Sequence, residues 1–153
     1  MHSYQRNQSI FELPMDHPEF VLLIDDDRIT NYLNERIISK LYPSLEVVVK
    51  NNGKEGLLFI EALLEQNRPM PTYIFLDLNM PVLNGFDFLL AFNKLGLDSS
   101  RTTITILTTS SNADDVEKIN LLGNYSYVTK PLTNAKLTAI FDSNLFSELS
   151  EVR

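Results

Sequence analysis

Apolar residues along the chain fall into two alternating rhythms. Phe20-Val21-Leu22-Leu23-Ile24 is an unbroken apolar run, the mark of a strand buried on both faces. Ile29, Leu33, Ile37 and Leu41 then recur every four residues, as one face of a helix does, and Pro43 stops it. Leu45 to Val49 is short and β-branched, a second strand. Asn52-Gly53 reads as a turn, and Lys54 to Gln66 as a helix ending before Pro69 and Pro71. Tyr73 to Leu76 is a third buried strand. Phe86 to Leu95 is a short helix with Phe86, Leu89 and Leu90 on one side, closed by Gly96. Thr103 to Leu107 is a fourth strand. Ser111 or Asn112 can cap a helix from Ala113 to Leu122, with Asp114 and Asp115 well placed in its first turn. Tyr125 to Thr129 is a fifth strand, and Leu137, Ile140, Phe141 and Leu145 mark a last helix.

Buried strands alternating with amphipathic helices predict a parallel sheet covered on both faces, a single α/β domain. The chain has no internal repeat, no low-complexity tract and no linker long enough to separate a second domain. Met1 to Pro18 is polar and mixed, with only Ile10, Phe11, Leu13 and Met15 as apolar residues, and reads as an N-terminal arm. A homodimer contact through this arm is an expectation. The domain proper runs over residues 19–147, and residues 148–153 form a C-terminal tail too short for an output domain.

Composition narrows the chemistry. The 153 residues suit one domain, and 44% hydrophobic against 22% charged supplies a sizeable core. Thirteen Lys+Arg against twenty Asp+Glu give a net charge of −7, and no two basic residues are adjacent, which argues against direct nucleic-acid binding. The absence of cysteine excludes disulfides, thiolate metal sites and cysteine nucleophiles, and fits a reducing cytoplasm. The longest apolar runs are far short of a membrane span or a signal-peptide core. Acids, hydroxyls, amides and lysines are what remain.

In doubly wound sheets, ligands bind beyond the carboxyl ends of the strands, where the strand order reverses. Strand one ends in Asp25-Asp26-Asp27, strand three in Asp77, strand four in Thr108-Thr109 and strand five in Lys130-Pro131. Strand two ends in Lys50-Asn51-Asn52 and looks like an outer strand. Asp25, Asp26 and Asp77 brought together repel, at ~4 Å by about 4 kcal/mol per pair at an effective dielectric of about 20. Oxygen-only ligands select a hard cation, and few protein ligands with open positions suit Mg2+. With Lys130 as a fixed charge and Thr108 as a hydroxyl donor, the rim is a receptacle for a phosphoryl group, and an aspartate there can act as nucleophile. Asp27 is expected to cap the first helix.

These residues carry a resemblance. Leu23-Ile24-Asp25-Asp26-Asp27, Phe75-Leu76-Asp77-Leu78-Asn79-Met80-Pro81 with Gly85, Ile106-Leu107-Thr108 and Tyr127-Val128-Thr129-Lys130-Pro131 are similar, in order and spacing, to the receiver domain of two-component response regulators. The resemblance covers roughly residues 19 to 147. It implies a CheY-like, flavodoxin-like five-stranded sheet in the order 2-1-3-4-5 with five helices. It makes Asp77 the phosphoacceptor, with Mg2+ held by Asp26, Asp25, Asp77 and the backbone carbonyl of Asn79. Thr108 and Lys130 would bind the phosphoryl group, Tyr127 would be the switch aromatic, and Lys130-Pro131 a cis peptide. It implies a cytoplasmic signalling protein, not an enzyme, that takes a phosphoryl group from a histidine kinase or phosphotransfer protein and acts on a downstream protein target. Thr109 stands where the family often has a smaller residue. Asn79 and Ser110 occupy positions that tune how long the phosphoryl group persists.

Three other readings compete. A magnesium-dependent aspartyl phosphatase of the haloacid-dehalogenase type wants an aspartate two residues beyond its nucleophile, where Asp77-Leu78-Asn79 supplies an amide. A flavodoxin-like cofactor carrier needs a Gly/Ser/Thr-rich loop after strand one, where this chain has acids. A phosphorylation-independent adaptor of the same fold is opposed by the intact constellation.

Overall fold

In the computed structural model, residues 19–98, 100–109 and 113–151 are described, with side chains as far as residue 142. Strands β1 (Phe20–Ile24), β2 (Glu46–Lys50), β3 (Tyr73–Asp77), β4 (Thr103–Thr108) and β5 (Ser126–Thr129) form one parallel sheet in the order β2-β1-β3-β4-β5. Five helices connect or follow them: α1 (Arg28–Leu41), α2 (Gly53–Glu65), α3 (Gly85–Lys94), α4 (Ala113–Leu122) and α5 (Asn134–Glu151). The central strands earn their place by being apolar on both sides: every residue of β1 is buried, as is β3 from Ile74 onward. Successive residues point to opposite faces. Leu22, Ile24, Ile74, Leu76, Ile104 and Ile106 therefore pack with α2, α3 and α4, through Ile60, Leu63, Phe88, Leu89, Phe92 and Ile119. Val21, Leu23, Phe75 and Leu107 meet α1 and α5 through Ile38, Leu137, Ile140 and Phe141.

Several helix boundaries and faces differ from the sequence reading, each for a local reason. Asn52-Gly53 is the start of α2 rather than a separate turn. The Asn52 side chain accepts from the Glu55 N–H at 2.8 Å, and the Glu55 carboxylate reaches back to the Asn51 N–H at 3.0 Å. Asn84 caps α3 in the same way, accepting from the Asp87 N–H at 2.9 Å. Leu89 is buried there as expected, but Leu90 is exposed, and Phe88 and Phe92 join Leu89 on the inner side.

The largest difference is in α1. Ile29, Leu33 and Leu41 are exposed, and the buried residues are Asn31, Asn34 and Ile38. A spacing of four drifts around a helix that turns every ~3.6 residues, whereas 31, 34 and 38 stay on one side. The proposed cap at Ser111 or Asn112, the inner role of Leu145, the residue Ser110 and the arm lie outside the described residues. Among the described residues no helix is long and apolar enough to cross a membrane.

Candidate functional site

Because β1 and β3 are neighbours whose chains leave toward opposite edges of the sheet, a crevice opens between their carboxyl ends. Asp77 is the last residue of β3, in register with Leu107 of β4. Asp25 and Asp26 directly follow β1. One carboxylate oxygen from each of Asp25, Asp26 and Asp77 lies within 4.8 Å of the others. Asp25 and Asp77 are buried and Asp26 is exposed, so the cluster has an inner wall and an open side.

Lys130 closes the crevice from β5. Its ammonium donates to Asp25 Oδ2 at 2.6 Å and lies 3.3 Å from Asp77 Oδ1. Its position is set by the backbone: the Lys130 N–H donates to the carbonyl of Thr108 at 2.7 Å, and the Lys130–Pro131 peptide is cis. Thr108 ends β4 opposite Thr129 and is fully buried. Tyr127, opposite Ile106, packs partly buried against the core.

Burial, and then the neighbouring Asp25 carboxylate, push the Asp77 carboxyl above its ordinary value, against the pull of Lys130. Burial alone would lower Lys130, but its hydrogen bond to Asp25 and the charges of Asp25 and Asp77 carry it above the usual lysine value. The three carboxylates are thus held at close range against their repulsion, with the single positive charge of Lys130 set against three acids. An all-oxygen set of this kind fits a hard divalent cation such as magnesium.

Two supports for the site were not legible in the sequence. Asn31 is buried in α1, and its side-chain amide donates to the carbonyl of Asp25 at 2.8 Å, holding the turn that presents the acids. The second is the seating of the loop after β3. Leu78 and Met80 are buried in the core on either side of the exposed Asn79, and the Gly85 N–H donates to the Leu78 carbonyl at 2.9 Å. A polar residue in helical phase with Ile38 was the available signal for Asn31. Asp27 takes the capping role: its carboxylate accepts from the Ile29 N–H at 3.0 Å and from the Thr30 hydroxyl at 3.0 Å. The Thr30 and Ile29 bonds hold its carboxyl below the usual value.

A doubly wound parallel sheet with three carboxylates and a lysine at its switch point defines an acid-crevice α/β domain of flavodoxin-like topology. Comparison with known sequences makes the class specific. The profile of the response regulator receiver domain matches residues 21–142, and the chain belongs to that family, whose members act in two-component signal transduction. Response regulator Rcp1 of Synechocystis sp. is 32% identical over 114 residues, covering 74% of this chain and 77% of that protein. The nitrate/nitrite response regulator protein NarL of Escherichia coli is 32% identical over 116 residues, 75% of this chain but 49% of NarL. A two component response regulator from Cytophaga hutchinsonii has the same architecture with a TM-score of 0.72 and 29% identity, covering 84% of this chain and 98% of that one. The Vibrio cholerae chemotaxis protein CheY4 shares the fold, with a TM-score of 0.69 at 22% identity over 82% and 97% of the two chains.

Proposed function

We propose that Asp77 is the phosphoacceptor of this receiver domain. The observation that carries the reading is the placement of the Asp77 carboxylate: buried at a strand end, 3.3 Å from the Lys130 ammonium and beside Asp25 and Asp26. A carboxylate oxygen of Asp77 attacks the phosphorus of a phosphohistidine. The phosphorus–nitrogen bond breaks, its electron pair leaves with the imidazole, and an acyl phosphate forms on Asp77. Asp25, Asp26, Asp77 and the carbonyl of Asn79 would hold Mg2+, which supplies charge stabilisation for the transferred group. Lys130 pairs with a phosphoryl oxygen and the Thr108 hydroxyl donates to another, so both are drawn inward as the charge at Asp77 grows. Tyr127, on the strand that leads into Lys130, moves with that change, and the face of α4, β5 and α5 is remodelled for a protein target.

The donor is a histidine kinase or phosphotransfer protein, the chain signals by contact rather than by turnover of a substrate, and its compartment is the cytoplasm. Residues 19–147 are the receiver, with 1–18 as an N-terminal arm and 148–153 as a tail. Mass spectrometry after incubation with acetyl phosphate and magnesium tests the central step. One added phosphoryl group is expected, labile to hydroxylamine and absent from Asp77→Asn. Unmodified protein, with no detectable magnesium binding, would favour a phosphorylation-independent adaptor. Sustained release of phosphate from a generic phosphomonoester would favour a phosphatase.

A further inference from the structure

β2 is the outer strand of the sheet, and among the described residues no strand lies beyond it. β1 is buried throughout, whereas Glu46 is exposed and Val47, Val48, Val49 and Lys50 are partly exposed. An edge of this kind carries a row of backbone donors and acceptors that another strand can satisfy. Which groups these are follows from the pairing with β1. The Asp25 N–H donates to the Lys50 carbonyl at 3.2 Å. Lys50 therefore turns its backbone groups toward β1, and Val48 and Glu46 do the same by the two-residue repeat of the strand. Val47 and Val49 turn theirs outward. The edge is closed at both ends. The Leu45 N–H donates to the Tyr42 carbonyl at 3.1 Å, and the Asn51 N–H to the Glu55 carboxylate at 3.0 Å.

We propose that this edge pairs with the same edge of a second copy of the chain, antiparallel about a two-fold axis at Val48. In that register Val47 of each copy exchanges both its backbone hydrogen bonds with Val49 of the other. An axis at Val47 would set Val49 against Leu45, and one at Val49 would set Val47 against Asn51, whose N–H groups are already bonded.

The side chains fit the same register. Glu46, Val48 and Lys50 share the sheet face that carries α2, where Val48 packs against the core and the Lys50 ammonium sits 4.9 Å from the centre of the Phe59 ring. Glu46 of each copy then stands opposite Lys50 of the other, and Val48 opposite Val48. These are the non-hydrogen-bonded positions, where facing side chains are closest. The strand Glu46-Val47-Val48-Val49-Lys50 is thus complementary to itself, with an opposite-charge pair at each end of an apolar centre. The parallel, in-register alternative would set Glu46 beside Glu46 and Lys50 beside Lys50. Since β5 is the opposite edge of the sheet, the α4-β5-α5 faces of both copies stay open. The pair is one continuous sheet that displays a receiver at each end, and it does not depend on the role given to Asp77.

In a mixture of 13C-enriched and unenriched full-length protein at about 1 mM, isotope-filtered NOE spectra are expected to connect the Hα of Val48 in one copy with that of Val48 in the other, and Glu46 with Lys50. Sedimentation equilibrium should show a weak, concentration-dependent dimer. Glu46→Lys, at an exposed position, should weaken it about tenfold. Adding Lys50→Glu should restore it, because each charge pair is then reversed rather than broken. Unchanged shifts for the core amides of Leu22 and Ile74 report an intact fold in both variants. A chain that stays monomeric at about 1 mM, a dimer without the Val48–Val48 contact, or a charge swap no stronger than Glu46→Lys alone overturns the proposal. So does slow exchange of the Val47 and Val49 amides at every concentration without contacts between copies, which would mean that the edge is covered from within one molecule.

Discussion

Lys130→Met in metal-free buffer is the most direct probe of how the acidic crevice is held together. The lysine ammonium is 2.6 Å from Asp25 and 3.3 Å from Asp77, and the three side chains are 13%, 6% and 9% exposed. At an effective dielectric of about 20 these contacts correspond to about 6 and about 5 kcal/mol of attraction. The two carboxylates, with oxygens within 4.8 Å, repel by about 3 kcal/mol. Desolvating the ammonium offsets much of the attraction, and the experimental cost of removing one member of a buried charged cluster is about 3–5 kcal/mol. Asp26 leaves one side of the crevice open, which places the expected loss at the low end, about 3 kcal/mol. Urea unfolding at neutral pH with a chelator present measures it, as a fall in midpoint of about 1–2 M. Repeating the substitution in an Asp77→Asn background should give a smaller loss, because only Asp25 is then left uncompensated. A loss below about 1 kcal/mol, or equal losses in both backgrounds, would refute the view that Lys130 holds the two carboxylates together.

Three further outcomes are expected. A Cβ at Gly85 would lie 2.6 Å from the Asp77 carbonyl oxygen and 2.8 Å from the Leu78 Cα, both backbone atoms. Gly85→Ala should therefore cost about 1–3 kcal/mol, and an unchanged melting temperature would show that the loop yields. Ile38→Ala should cost about 2–5 kcal/mol and Ile29→Ala less than about 0.5 kcal/mol; comparable losses in chemical denaturation would mean that α1 faces the sheet differently. Asp77, raised by burial and then by Asp25, contributes stability that is fully present below the ordinary aspartate pKa of about 3.9 and is lost as pH rises through its higher folded value. In metal-free buffer Asp77→Asn should flatten that part of the decline above about pH 4, and urea midpoints across pH with the wild-type slope would contradict it.

The strands were legible because burial on both faces leaves an apolar run that needs no periodicity to be seen. β1 and β3 are the clear cases, and the acids and hydroxyl that finish the strands marked the crevice before any contact was known. The inner face of α1 was hidden for the opposite reason. Two of its three buried residues are asparagines, and Asn31 is inside because its amide satisfies the Asp25 carbonyl rather than because it is apolar. Leu33 and Ile29 are apolar but outside, so hydrophobicity alone pointed to the wrong side. Helix starts at Gly53 and Gly85 were placed a residue late because a glycine after asparagine reads as a turn until the cap hydrogen bond is seen. The partnership of Lys130 with Asp25 spans 105 residues and follows only from the sheet order, which sets β1 and β5 on either side of β3 and β4.

Lys130 also borders two compartments at once, the acidic crevice and a groove beside α1. A shared wall gives the two a charged residue in common. Whatever changes the charge at Asp77 changes the pull on Lys130, and with it the wall that Lys130 gives to the groove. Any group that bound in the groove and bore on Lys130 would, by the same linkage, act back on the crevice. One lysine is enough to let the two report on each other, without any rearrangement of the sheet between them.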